Sequence, residues 1–236
     1  MTGKNGKGSI LVILSHPDDE SFPIGGTLAK YASEGVPITL VCATRGEAGI
    51  PGMSPASAGK LREAELRCAA KVLGVQEVQF LNYLDGTLDR IDLEEIITQL
   101  ARIIRETRPQ AVITFGPDGI SGHPDHLAIH TAATAAFKRA GQGARLYYIA
   151  PSEATQQGCG VVPSVEAAGG PVAAIDVEDH LVTKVRAMQC HRSQKPPFSG
   201  KPEEEANQLE CHEYFTLAIS TQVRTPLTGL LAPHAE

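Results

Sequence analysis

The sequence has no tryptophan and only five cysteines (Cys42, Cys68, Cys159, Cys190 and Cys211), none of them in a CxxC pair. An odd, scattered set of this kind builds neither a disulfide framework nor a cysteine-ligated metal site, and it suits free thiols in a reducing cytoplasm. No apolar run approaches the roughly 18–20 residues of a membrane span. The run Ile10–Leu14 is also too short for the core of a signal peptide. Positive charge is not in excess: 21 Lys and Arg stand against 27 Asp and Glu, a net charge of −6. That excludes the basic face of a general nucleic-acid binder. A GxGxxG loop is missing after the first apolar run, where only Gly25-Gly26 occurs, and this argues against a nicotinamide enzyme. What remains is a cytoplasmic globular protein without nucleic-acid or membrane partners, and 236 residues suffice for a full core.

What the chain does contain is a regular alternation of apolar runs and helical periods. Ser9 to Ser15, Pro37 to Thr44, Glu77 to Leu81, Ala111 to Phe115 and Arg145 to Ala150 read as strands, several of them continuous β-branched and Leu runs of the buried parallel kind. Helical spacing follows from Gly25 to Gly35, Lys60 to Leu73, Asp92 to Thr107 and Pro124 to about Gly141. Val172 to Val177 and Glu213 to Ser220 read as further strands, with a helix from Asp179 to His191 between them. Strands alternating with helices of this length predict a Rossmann-like α/β fold, a mostly parallel β-sheet flanked by helices. Residues 1–220 read as a single domain and 221–236 as a C-terminal tail. The Gly-, Pro- and Ser-rich stretch 45–59 is expected to be a mobile active-site loop, and 151–171 a loop without clear period.

Two acidic-histidine stretches carry the chemistry. His16-Pro17-Asp18-Asp19-Glu20 follows the first strand, and His123-Pro124-Asp125-His126 follows the strand ending at Phe115. Charges crowded beside buried strands cost folding energy unless a ligand uses them. In parallel sheets ligands sit beyond the carboxyl ends of strands, where both stretches fall. A hydrolytic zinc site needs about three His, Asp or Glu ligands and one open position. On a tight turn His16 and Asp19 can converge on one ion while the adjacent Asp18 points elsewhere, and a helix starting at Pro124 can aim His126 at that ion. A lone His-Pro-Asp triplet is a common helix-capping turn; two of them, each after a buried strand, favour a site. His130 reads as helix face, and the pairs Cys190-His191 and Cys211-His212 as core or surface residues. Glu20 is expected to be structural, bonded to backbone or to a neighbouring basic group.

Taken together these residues resemble the PIG-L/LmbE-like zinc-dependent N-acetylglucosaminyl deacetylases. The likeness includes HPDDE, Thr44-Arg45-Gly46-Glu47-Ala48-Gly49, Arg62-x-x-Glu65, HPDH, Lys184-x-x-Ala187-x-x-x-His191-Arg-Ser-Gln194 and Glu213-x-Phe215, in order from residue 10 to about 220. It implies removal of acetyl from an N-acetylglucosamine-type amide in a small amino-sugar conjugate, with Zn2+ as cofactor. It further implies His16, Asp19 and His126 as zinc ligands and Asp18 as the general base that activates the zinc-held water. His123, protonated and oriented by Asp125, would stabilise the oxyanion, and Arg62 and Asp85 would hold sugar hydroxyls. The resemblance allows a homo-oligomer, with no interface legible in the sequence. Two other classes compete: a two-metal phosphoesterase, which needs more ligands than these motifs supply, and a non-catalytic sugar-binding protein with a relic metal site.

Overall fold

A computed structural model describes residues 8–150, 172–221 and 229–231. Two short runs lie at its centre. Strands β1 (Ile10–Leu14) and β4 (Ala111–Phe115) are buried at every position, as strands covered on both faces must be. They pair in parallel, Ile10 opposite Ala111 and Val12 opposite Ile113. On the other side β1 pairs with β2 (Ile38–Thr44), and β2 with β3 (Glu77–Tyr83), all parallel. Beyond β4 lies β5 (Arg145–Ala150), also parallel. Strand β7 (His212–Ser220) then runs antiparallel to both β5 and β6 (Val172–Asp176). The seven-stranded order is β3-β2-β1-β4-β5-β7-β6. The direction of winding reverses between β1 and β4, and both acidic-histidine stretches leave the sheet from the carboxyl ends of these two strands.

Helices α1 (Gly25–Ser33), α2 (Pro55–Leu73) and α5 (Leu181–Met188) pack together as one layer. Helices α3 (Leu93–Thr107) and α4 (Pro124–Ala140) form a second, and α6 (Pro202–Glu205) is a single turn beside α5. The expected α/β architecture is therefore present, with local differences. Helix α2 begins at Pro55, capped by the Ser54 side chain, so the expected loop 45–59 is shorter by a helical turn. A serine cap followed by proline at the first helical position outweighed the missing apolar period. The helix expected from Asp179 to His191 is broken into a 3-10 turn at Glu178–His180, α5, and a second 3-10 turn at Arg192–Gln194. Of the expected C-terminal tail, Leu230 is fully buried and its N–H donates to the Tyr31 hydroxyl at 2.9 Å; residues 222–228 and 232–236 of the tail, and the loop 151–171, lie outside the described residues. No helix among the described residues is long and apolar enough to cross a membrane.

The expectation of free thiols is corrected at one pair. Packing α5 against α2 brings Cys190 to Cys68, 122 residues apart in sequence, and they form a disulfide with Cα atoms 5.8 Å apart. Spacing along the chain carries no trace of a contact made between two helices. Cys42 is buried and free, and Cys211 exposed and free. With two of the five cysteines paired, thiol titration of the unfolded, unreduced chain should find no more than three reactive groups, rising to five after reduction. Replacing both Cys68 and Cys190 by serine should lower unfolding stability in urea by about 2–5 kcal/mol.

Candidate active site

The site starts from a backbone constraint. After β1 the chain turns sharply through Pro17 and Asp18, and Asp18 takes a positive φ of 110°, a conformation that costs a non-glycine residue on the order of 1–3 kcal/mol. Surrounding bonds hold it there. The Asp18 N–H donates to Glu20 Oε2 at 3.0 Å, and the Asp18 carbonyl accepts from Ser21 N at 2.9 Å. The turn is pinned to α4 as well, because Ser15 Oγ donates to the Asp125 carbonyl at 3.1 Å. Residues more than a hundred positions apart thus share one pocket.

Within it, His16 Nδ1 lies 3.2 Å from His126 Nε2 and 3.7 Å from Asp19 Oδ2, and His126 Nε2 lies 3.3 Å from Asp19 Oδ1. The other nitrogen of each ring is already committed. His16 Nε2 faces Asp125 Oδ2 and Asp85 Oδ1, both at 3.0 Å, and His126 Nδ1 faces the Gly119 carbonyl at 2.9 Å. Those acceptors select the tautomers in which His16 Nδ1 and His126 Nε2 keep their lone pairs. Both lone pairs then point to one spot, shared with the Asp19 carboxylate. Metal–nitrogen bonds of about 2.0–2.1 Å in a tetrahedron put ligand atoms roughly 3.3 Å apart, so the three residues fit a divalent ion. The Phe115 ring stacks on His126 at 4.1 Å and keeps that imidazole from rotating.

Charge tells the same story. Burial disfavours the charged form of His16, yet Asp125, Asp85 and Asp19 outweigh it and push the imidazole up to about 10. Burial likewise works to raise Asp19, but the His126 and His16 charges bring it down to about 2. The carboxylates that would hold a second proton on His16 equally favour a divalent cation in that proton's place, bound at the Nδ1 lone pair. Asp18 goes the other way. Burial, then the neighbouring Asp19, raise it to about 7, although Arg62 opposes them.

Every expected site residue lies in this neighbourhood, but three face differently from expectation. The Asp125 carboxylate does not reach His123. It accepts from His16 Nε2 and Gly86 N on one oxygen and from Leu88 N on the other. His123 is instead held through its Nδ1, which accepts the backbone N–H of Asp125 at 3.2 Å, because it caps α4. Burial, then the His16 and His126 charges, lower its pKa, so a standing imidazolium is not favoured. The side chains of Arg62 and Asp85, expected to hold sugar hydroxyls, are engaged with protein groups. Arg62 is 4 % exposed, with Nη2 donating to the Pro17 carbonyl at 2.6 Å and to Asp18 Oδ2 at 3.2 Å. Asp85 contacts His16 and accepts from Ala48 N at 3.0 Å. The Gly46 and Gly49 positions explain why: a Cβ at either would collide with the Arg62 guanidinium, so the glycines of the second motif make the socket for this arginine.

Glu20 has the structural role expected of it. Its side chain takes Asp18 N, Ser21 Oγ and His191 Nε2, the last at 2.6 Å. His130 bonds the Phe115 carbonyl at 2.9 Å and stays out of the pocket. Sequence reasoning missed the backbone donors Gly86 and Leu88 and the acceptor Gly119. Main-chain groups leave no residue-type signal, so only the fold could show them. A cavity of about 680 Å³ opens beside Asp18, Asp19 and His126, and Gln194, His212 and Tyr214 are among the residues on its walls.

A cation pocket of this kind, at the reversal point of such a sheet and beside a carboxyl tuned near neutrality, defines a class, the metal-assisted hydrolases of α/β architecture. Comparison narrows the class to a family. The model of the family described as PIG-L, GlcNAc-PI de-N-acetylase, matches residues 11–137, more than half of the chain, and the protein belongs to this family. It is 31% identical to the 1D-myo-inositol 2-acetamido-2-deoxy-alpha-D-glucopyranoside deacetylase of Nocardiopsis dassonvillei, over 91% of this chain and 95% of that one. Among solved structures it resembles N,N'-diacetylchitobiose deacetylase from Pyrococcus horikoshii, with a TM-score of 0.65 and 23% identity over 86% of this chain and 75% of that one. It also resembles GalB, the 4-carboxy-2-hydroxymuconate hydratase from Pseudomonas putida KT2440, with a TM-score of 0.70 and 20% identity over 94% and 100%. At those identities the two structures share the fold alone.

If Asp125 fixes His16 as a ligand, Asp125→Asn should weaken divalent-metal affinity by about 10–100-fold. Competition against a chromogenic chelator measures this, and the unfolding midpoint of the metal-free protein should move far less.

Proposed function

We propose that this protein hydrolyses the acetamide of an N-acetylglucosamine-type conjugate, giving acetate and the free amine, with zinc held by His16, Asp19 and His126. The observation that carries the reading is the convergence of two imidazole lone pairs and one carboxylate, 3.2–3.7 Å apart, beside Asp18. Bound zinc would supply Lewis acidity toward the amide carbonyl and make water more acidic. The chain's own residues supply the rest. Asp18 faces the cavity and, raised to about 7, has the proton affinity of an efficient general base near neutral pH. Arg62 holds one Asp18 oxygen and leaves the other for the proton of the attacking water. His123, whose Nδ1 is occupied by the Asp125 N–H, carries its proton on Nε2 and donates a hydrogen bond from there to the oxyanion, while Asp18 passes the proton it took from water to the leaving amine. One such donor is typically worth about 3–4 kcal/mol of barrier.

A cavity of about 680 Å³ is larger than an acetyl group needs and accommodates a sugar with its attached group. The relative from Nocardiopsis makes an N-acetylglucosamine joined to inositol the first substrate to test. The two-metal phosphoesterase reading finds little support. Metal-type side chains among the described residues also gather as His16, His123 and His126, a group that shares two residues with the proposed ligands, and as His16, Asp85 and Asp125. In the latter, His16 Nε2 donates and both carboxylates already accept backbone N–H groups.

His126→Ala should lose bound metal and activity together. Asp18→Asn should keep one equivalent of zinc and lose about 10²–10⁴-fold in kcat. Free-amine release from N-acetylglucosaminyl inositol and from N,N'-diacetylchitobiose, with zinc and with chelator, reads both. Full turnover by zinc-loaded Asp18→Asn would sink the base assignment, and two ions per chain in metal analysis would revive the phosphoesterase.

A further inference from the structure

One fully buried pair is left unused by this mechanism. Glu20 and His191 are both 0 % exposed and 171 residues apart, and they meet at 2.6 Å between Glu20 Oε1 and His191 Nε2. Among the described residues this is the only hydrogen bond of the His191 ring, and His191 Nδ1 is buried without a partner. A buried imidazole satisfied at one nitrogen alone gives up stability, and such a group calls for an explanation. Other cations near Glu20 are engaged: Lys184 donates to Glu213 at 2.7 Å, and Arg62 to Pro17 and Asp18. Burial works against charge on His191, and Glu20 first, then Asp18 and Glu65, outweigh it and raise its pKa.

The other Glu20 oxygen shows what the pair reaches. Oε2 accepts the backbone N–H of Asp18, the residue at φ 110°. Without an acceptor that N–H would be unsatisfied in a buried turn, and the strained conformation would lose one of its restraints. The support behind His191 is rigid. Cys190 is cross-linked to Cys68 on α2, and Ser193 N and Oγ donate to Glu65 of the same helix at 2.8 and 2.6 Å. Helix α2 also carries Arg62, which holds the Asp18 carboxylate. Asp18 is thus gripped from two sides, at its side chain by Arg62 and at its backbone through Glu20.

We propose that His191 and Glu20 are positioning residues, a buried relay that locks the backbone of Asp18 in its left-handed conformation and thereby aims its carboxylate. The proposal rests on the reading of Asp18 as general base. His191 does not line the cavity, so the relay acts on the rate of the chemical step and leaves substrate binding alone.

The test compares His191→Leu with His191→Gln, whose amide can still donate to Glu20, using the zinc-loaded full chain well below its unfolding midpoint. N-acetylglucosaminyl inositol and N,N'-diacetylchitobiose serve as probes. His191→Leu should keep one equivalent of zinc and a KM within about twofold, and lose about 100-fold in kcat, the scale of a 1 Å misplacement. His191→Gln should recover at least tenfold of that loss. A merely structural pair would lower the unfolding midpoint of both variants and leave kcat per folded, zinc-loaded enzyme unchanged, which would overturn the proposal. If His191→Leu does not fold, Glu20→Gln takes its place. Its side chain matches in size but cannot accept at both ends, and kcat within threefold of wild type would count against the relay. If the wild-type chain turns over neither probe, the deacetylase reading fails separately, and a crystal structure of His191→Leu still decides. Asp18 remaining at φ near 110° would refute the relay, and its relaxation to negative φ would uphold it.

Discussion

The His16 imidazole is the one group on which both halves of the site depend. One ring nitrogen faces His126 and Asp19, where a cation fits, and the other faces Asp125 and Asp85. An imidazole with a carboxylate on its far side is a better electron donor and has no freedom to flip. The two carboxylates are in turn tied to main-chain N–H groups of the segments after β2 and β3, through Ala48, Gly86 and Leu88. The loops at the carboxyl edge of the sheet are therefore ordered around one ring. Without it, four carboxylates, Asp18, Asp19, Asp85 and Asp125, would stand close together with too little positive charge among them, a costly arrangement in a buried setting.

That dependence explains how much could be read from the chain alone. The buried runs Ile10–Leu14 and Ala111–Phe115 carry their strand identity in composition, and the acidic-histidine stretches that follow them carry the chemistry. Their meeting follows from the parallel-sheet rule without any coordinates. The facing of Asp125, Arg62 and Asp85 was not legible. Residue type says that a carboxylate near a histidine will orient it. It does not say which histidine, because that depends on a rotamer chosen by main-chain donors at Gly86 and Leu88. For Arg62 the clue was present but indirect: Gly46 and Gly49 are the walls of its socket, and glycines record a close approach without naming what approaches. The Cys68–Cys190 bond and the Glu20–His191 pair join positions 122 and 171 residues apart, and no local pattern encodes such pairings.

The fold also sorts its restraints by strength. Around Asp18 the chain is held at the backbone, at the carboxylate and at the preceding carbonyl, all by buried partners. His123 is held more lightly: its ring packs against those of His16 and His126, takes a hydrogen bond from the Asp125 N–H, and is partly exposed at the start of α4. Under the proposed mechanism the clamped group is the base, which must keep one aim, and the lightly held group is the one that offers a hydrogen bond to the oxyanion.

The cavity has a consequence for how such a protein can diversify. Its chemical wall, Asp18, Asp19 and His126, lies inside the family-matched stretch 11–137, whereas Gln194, His212 and Tyr214 come from the chain beyond it. The last strand runs antiparallel to its neighbours and delivers His212 and Tyr214 at its start, on the far wall from the β1–β4 junction. Substitutions there can reshape what the cavity admits without moving a single candidate ligand. Part of the cavity wall thus lies in a different stretch of the chain from the candidate ligands, and that part can vary in sequence while they stay in place.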